Sequence, residues 1–187
     1  MIQADSQLAA ITGLLARLWL REVDLATLEA MGTSSFCKTY IELGGVIPVA
    51  VNQEIVEQLA HEYCQLLVGP QHQISPVQSV WRENQFQAST AGSMSRFFEL
   101  IPGYNPPSNL LDHIGVQLDF LSQLLARSEQ PETKDIIEHF GKTHLNWTGS
   151  FLNRVEQSTS SNFYRGLAVV TRELTRTIFF PANDVAT

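Results

Sequence analysis

Asp112 and His113 set a carboxylate beside an imidazole, directly after the loop Pro102-Gly103-Tyr104-Asn105-Pro106-Pro107-Ser108. A carboxylate in the first turn of a helix complements the helix dipole, and that role alone accounts for Asp112. His113 beside it reads either as a surface residue with no role or, with Asp112, as a functional pair. Glu57 and His61 lie one turn apart beside Glu54. That is two thirds of a metal site, but Glu and His at this spacing are more simply a solvated helix pair. His139 and His144 straddle Gly141, which argues against a shared helical face. A helical di-iron site needs a Glu three residues before a His. The five histidines are preceded at that spacing by Gln58, Gly69, Leu110, Ile136 and Gly141. No metal site is expected.

Other catalytic signatures are absent. The sequence has no GxxxxGK or GxGxxG phosphate turn, no GxSxG elbow, no HExxH helix and no CxxC. What it has is a supply of large rings: Trp19, Tyr63, Trp81, Trp147, Phe163 and Tyr164. Rings at helical spacing build a core, and the same residue types build a groove for an apolar peptide. The chemistry fits a binding module, not an enzyme. Twelve Lys and Arg against 19 Asp and Glu give a net charge of −7, which repels nucleic acid and anionic lipid and favours cationic partners.

The elements that position these residues are helical. In 187 residues, 44% of them hydrophobic, one domain's worth of core can be buried. Leu8, Ile11, Leu14, Leu15, Leu18 and Trp19 give residues 5–20 an amphipathic period. A short helix is expected from Asp24 to Met31, stopped by Gly32, and another from Asn52 to the Gly69-Pro70 end. Between them Gly44–Val51 (GGVIPVAV) reads as a linker, because Pro48 removes a ladder donor. Further helices are expected to run through Trp81, around Met94 to Leu100, from a Ser108 or Asn109 cap to about Arg127, from Pro131 to Gly141, and over 143–155 and 161–178. The fold class is all-α, with about eight to ten helices in two halves. An N-terminal half (1–101) and a C-terminal half (109–187) meet at a Pro-rich hinge, 102–108, and form one compact unit. Cys37 and Cys64 are too few for a disulfide framework and read as buried reduced thiols. The N-terminal apolar run lacks a basic start and is broken by Arg17. It reads as neither an export signal nor a membrane span, so the protein is expected to be cytoplasmic.

Four segments, in order, resemble a known family. Glu62-Tyr63-Cys64-Gln65-Leu66-Leu67-Val68-Gly69-Pro70 resembles the helix-ending aromatic-x-x-Leu-Phe-x-Gly-Pro motif of the TorD/DmsD/NarJ redox-enzyme maturation chaperones. Ser75-Pro76-Val77-Gln78-Ser79-Val80-Trp81 resembles their Ser-Pro-aromatic-Glu-Ser-Val-aromatic stretch, and Asp112-His113-Ile114-Gly115 their Asp-His-Leu-Gly segment. His144, Trp147, Phe151, Phe163, Tyr164, Leu167 and Thr171 resemble the family's C-terminal series.

The resemblance implies an all-helical, non-enzymatic chaperone. It would bind the twin-arginine signal peptide and apo form of a molybdopterin oxidoreductase, assist cofactor insertion and delay export. The family's peptide site carries over to Tyr63, Leu66, Leu67, Trp81, Asp112 and His113. The site is then an apolar groove between the halves, with carboxylates such as Asp112 at its rim. No cofactor is expected; weak guanine-nucleotide binding is associated with some members. Some members form domain-swapped dimers, so the chain is expected to be a monomer or such a dimer, with 102–108 the hinge. Two alternatives stand beside this reading: a general helical adaptor for another amphipathic peptide, and a nucleotide-binding all-α enzyme. The sequence departs from the family at Leu67, Val77, Gln78 and Gln117, where the family has Phe, an aromatic, Glu and Glu. The last two exchanges weaken an acidic grip on arginine.

Overall fold

Small residues let the first helix lie close against the centre of the chain. The computed structural model describes residues 2–33, 37–69 and 73–179. Helix α1 (Ile2–Leu20) packs along α7 (Ile114–Leu125), which is buried on almost every side. Gly13 and Ala9 meet Ser122, whose hydroxyl donates to the Ala9 carbonyl at 2.8 Å, while Ala16 and Leu20 meet Gly115. The two helices therefore run antiparallel. A methyl at Gly115 would stand 2.9 Å from the Ala16 carbonyl oxygen and 2.5 Å from Leu20. Helices α5 (Gln78–Glu83), α6 (Ser89–Phe98) and α8 (Pro131–Phe140) complete this first unit, which comprises 1–20 and 76–148.

The second unit comprises 21–75 and 149–187. It holds α2 (Leu25–Thr33), α3 (Cys37–Glu42), α4 (Gln53–Tyr63), most of α9 (Thr148–Ser158) and α10 (Asn162–Phe179). Its core forms on the apolar face of α10, where Phe163, Tyr164, Leu167, Val170 and Leu174 are buried. Gly166 has no Cβ, so the backbone of Gly44–Val46 crosses α10 directly on it. Gly44 turns the chain there at φ +94, a conformation that glycine adopts without strain.

Ten α-helices and no strand are found among the described residues, so the all-α class and the helix count hold. Several boundaries differ from expectation. The division at 102–108 is corrected, because that loop lies within the first unit. Tyr104 packs on Phe98 and Phe120 at 5.0 and 5.2 Å, and its hydroxyl donates to Asp119 at 2.8 Å. These contacts tie the loop to α6 and α7. Gly32 lies inside α2, and Leu100 stands outside α6 and is exposed. Helix α7 begins at Ile114, so Ser108 instead accepts a bond from the Leu110 N–H within the loop. Gly141 caps α8 but does not break the helical path. There, as after α4, the helix widens into a π turn, Gly141–Leu145 in one case and Cys64–Val68 in the other. Pro70 of the expected helix end, and Phe36 and His72, lie outside the described residues.

Candidate functional site

In the first unit the chain pairs two of the motifs with each other. Val77 and His113 form an antiparallel bridge, with Gln78 N–H donating to the Asp112 carbonyl at 3.0 Å and Ile114 N–H to the Pro76 carbonyl at 2.8 Å. This bridge brings Asp112 to the start of α5, whose cap position is Val77, a residue with no acceptor. Asp112 supplies the acceptor instead. Its Oδ2 takes the Ser79 N–H at 2.8 Å and the Thr90 hydroxyl at 2.8 Å. Its Oδ1 and the Ser79 hydroxyl are buried with no partner among the described residues. Asp112 is fully buried, which corrects its placement at the rim of a groove and in the first turn of α7. It caps a different helix.

His113 is the cap of α7, and its Nδ1 accepts the Gly115 N–H at 3.0 Å. Burial lowers its pKa to about 4, against the opposing pull of the Asp112 charge. A neutral ring that already accepts through Nδ1 carries its proton on Nε2.

Behind this turn lies a network of amides and rings. Gln78 Oε1 accepts from Gln117 Nε2 at 2.7 Å and from His144 Nδ1 at 2.9 Å, while Gln78 Nε2 donates to the Thr143 carbonyl at 3.0 Å. Gln117 Oε1 accepts from Trp147 Nε1 at 3.0 Å. With Nδ1 donating, His144 Nε2 accepts from Ser93 at 3.1 Å. Burial lowers the His144 pKa to about 4, assisted by His139 and opposed by Asp112. Trp147 packs on half-buried Trp81, with ring centres 6.3 Å apart. Gln78 and Gln117 are 1% and 0% exposed. They are core links, not amides substituting for rim carboxylates. Both nitrogens of His144 are engaged within this network.

In the second unit the predicted anchors are also inside. Tyr63 ends α4, and Leu66 and Leu67 fall in the π turn, whose i→i+5 closure is the Gly69 N–H to the Cys64 carbonyl at 2.6 Å. The returning chain covers the open carbonyls: Ile74 N–H donates to Leu66 at 2.9 Å and Gln73 Nε2 to Leu67 at 2.8 Å. The Tyr63 ring packs on Tyr164, whose hydroxyl donates to the Leu59 carbonyl at 3.0 Å. All three anchors are buried, whereas Val68 beside them is 60% exposed. Both cysteines are half-buried free thiols, not fully buried ones. Cys64 donates to Glu22 at 3.1 Å, an interaction that raises its pKa together with the effect of partial burial.

Of the six residues that the resemblance assigned, Trp81, Asp112 and His113 therefore belong to the first unit, and Tyr63, Leu66 and Leu67 to the second. Thr90, Ser93, Gln78 and Gln117 were not among them. His144 and Trp147, at i and i+3, were the sequence signal for that network. Glu57 and His61 bond along their own helix to Gln53 and Gln65, and no group able to hold a metal ion occurs among the described residues. No helix there is long and apolar enough to cross a membrane.

Fold and sites together define an all-helical protein whose buried chemistry is hydrogen bonding and aromatic packing. The chain belongs to the nitrate reductase delta subunit family, whose model matches residues 34–153. It is similar to the chaperone protein YcdY of Escherichia coli K12, with 29% identity over 116 residues, 62% of this chain and 60% of that one. It is also similar to the chaperone protein TorD of Shewanella pealeana, with 24% identity over 196 aligned positions, 89% of this chain and 86% of that one. No solved structure matches it significantly.

Proposed function

We propose that this protein is a cytoplasmic chaperone that binds the twin-arginine signal peptide of a molybdopterin oxidoreductase precursor. It holds the apo-enzyme for cofactor insertion and delays its export. The observation that carries this reading is the family match over 34–153, with similarity to a TorD chaperone along 89% of the chain. The residues are consistent with it. A basic peptide suits a chain of net charge −7.

Isothermal calorimetry with a synthetic twin-arginine signal peptide tests the proposal. Replacing both arginines by Gln is expected to weaken binding at least about tenfold, the effect of losing roughly 1.4 kcal/mol. Equal affinity for the two peptides would replace it with a general adaptor for amphipathic segments. Turnover of GTP by the purified protein would point to an enzyme instead.

A further inference from the structure

The segment joining α3 to α4 exposes apolar side chains on a backbone that is held at both ends. At its start Gly44 and Gly45 N–H groups donate to the Ile41 and Tyr40 carbonyls, each at 2.9 Å, and Val46 rests on Gly166. At its end the Asn52 side chain accepts the Ile55 N–H at 3.0 Å and fixes the start of α4. Between these anchors Val46 and Val49 are exposed and Ile47, Pro48 and Val51 half-buried, with Ile41 exposed just before them and Ile55 and Val56 half-buried just after, on α4. None of the backbone groups of 46–51 bonds to another described backbone group.

Single exposed apolar residues need no explanation, but a run of them on a fixed strap does. Along the chain on either side of the strap the charge is acidic, while the nearby Arg165, next to Gly166 on α10, bonds to Asn162 and the Thr159 carbonyl. No Lys or Arg occurs between Lys38 and Arg82, while Glu42, Glu54, Glu57 and Glu62 do. Glu42 is paired with Lys38 at 3.7 Å, and Glu54 and Glu57 are exposed on α4. Val49 stands five residues before Glu54, so their backbones lie within about 18 Å of each other.

We infer that the strap 46–51 and the acidic start of α4 form a docking surface for a peptide that carries basic residues next to a short apolar stretch. Val46 and Val49 take the apolar part, and Glu54 and Glu57 face the basic part. A strap already fixed in place loses little freedom on binding, which favours affinity. The inference rests on the signal-peptide reading and deepens it by naming a surface that the family resemblance did not assign.

Calorimetry with the full chain and the same synthetic peptide tests it, using Val49→Lys and the pair Glu54→Gln, Glu57→Gln, each checked for an unchanged melting temperature. Val49→Lys is expected to weaken binding at least about tenfold. The double variant is expected to lose several-fold at low salt, with the difference closing near 0.5 M salt. Peptide binding by the parent with both variants unaffected would overturn the surface and leave the proposed function standing. A parent that binds no such peptide would overturn both. Light scattering that finds a parent dimer, turned to monomer by Val49→Lys, would make the occupant a second copy and also overturn the inference.

Discussion

The role of Asp112 is set by what its oxygens reach. Its carboxylate caps α5 across 33 positions of sequence, so replacing it removes charge-assisted bonds inside the protein and not a contact at the surface. Asp112→Asn is expected to lower stability by about 1–3 kcal/mol in urea unfolding, with little dependence on salt, since a buried charge is poorly screened. His113 and His144 make a second prediction. Each is buried neutral, with a pKa near 4 in place of 6.5, so the unfolded chain binds more protons between those values. Stability is then full above about pH 6.5 and falls as pH drops toward 4, by up to about 3 kcal/mol for each ring. Unfolding midpoints measured from pH 7 to 4 check this, and His144→Gln is expected to flatten the slope. The sequence marked Asp112, His113, His144 and Trp147, but it offered no means of deciding which oxygen meets which nitrogen. That depends on the Val77–His113 bridge, a pairing of segments that no local pattern announces.

At the scale of elements, the helices were legible because apolar spacing is a local property of the chain. The two π turns were not: widening a helix by one residue leaves no residue-type signature, and Cys64–Val68 continues the same periodic run as α4. That the loop 102–108 belongs within one unit is hidden for a similar reason. Its prolines announce a turn, while the Tyr104 contacts that bind it to α6 and α7 are tertiary. Two substitutions probe how elements meet. Gly115→Ala puts a methyl against the α1 backbone and is expected to cost about 1–3 kcal/mol, the range of core overpacking, read by thermal unfolding. Tyr164→Phe removes the bond to the Leu59 carbonyl while keeping the ring and is expected to cost about 1 kcal/mol.

For the whole molecule, a surplus of acidic groups, 19 against 12, favours encounter with a basic peptide. Its association rate in stopped-flow is expected to fall as salt rises from low to physiological strength, with the dissociation rate changing less. The two units are also interleaved along the chain, the first taking 1–20 and 76–148 and the second the rest. Consequently, during synthesis α1 leaves the ribosome well before its partner. About 90 residues separate Leu20 from Ile114, roughly 5–20 s of translation at ordinary rates. Throughout that interval the apolar stripe of the nascent first helix has no native cover and depends on the ribosome's surroundings to stay out of unproductive contacts.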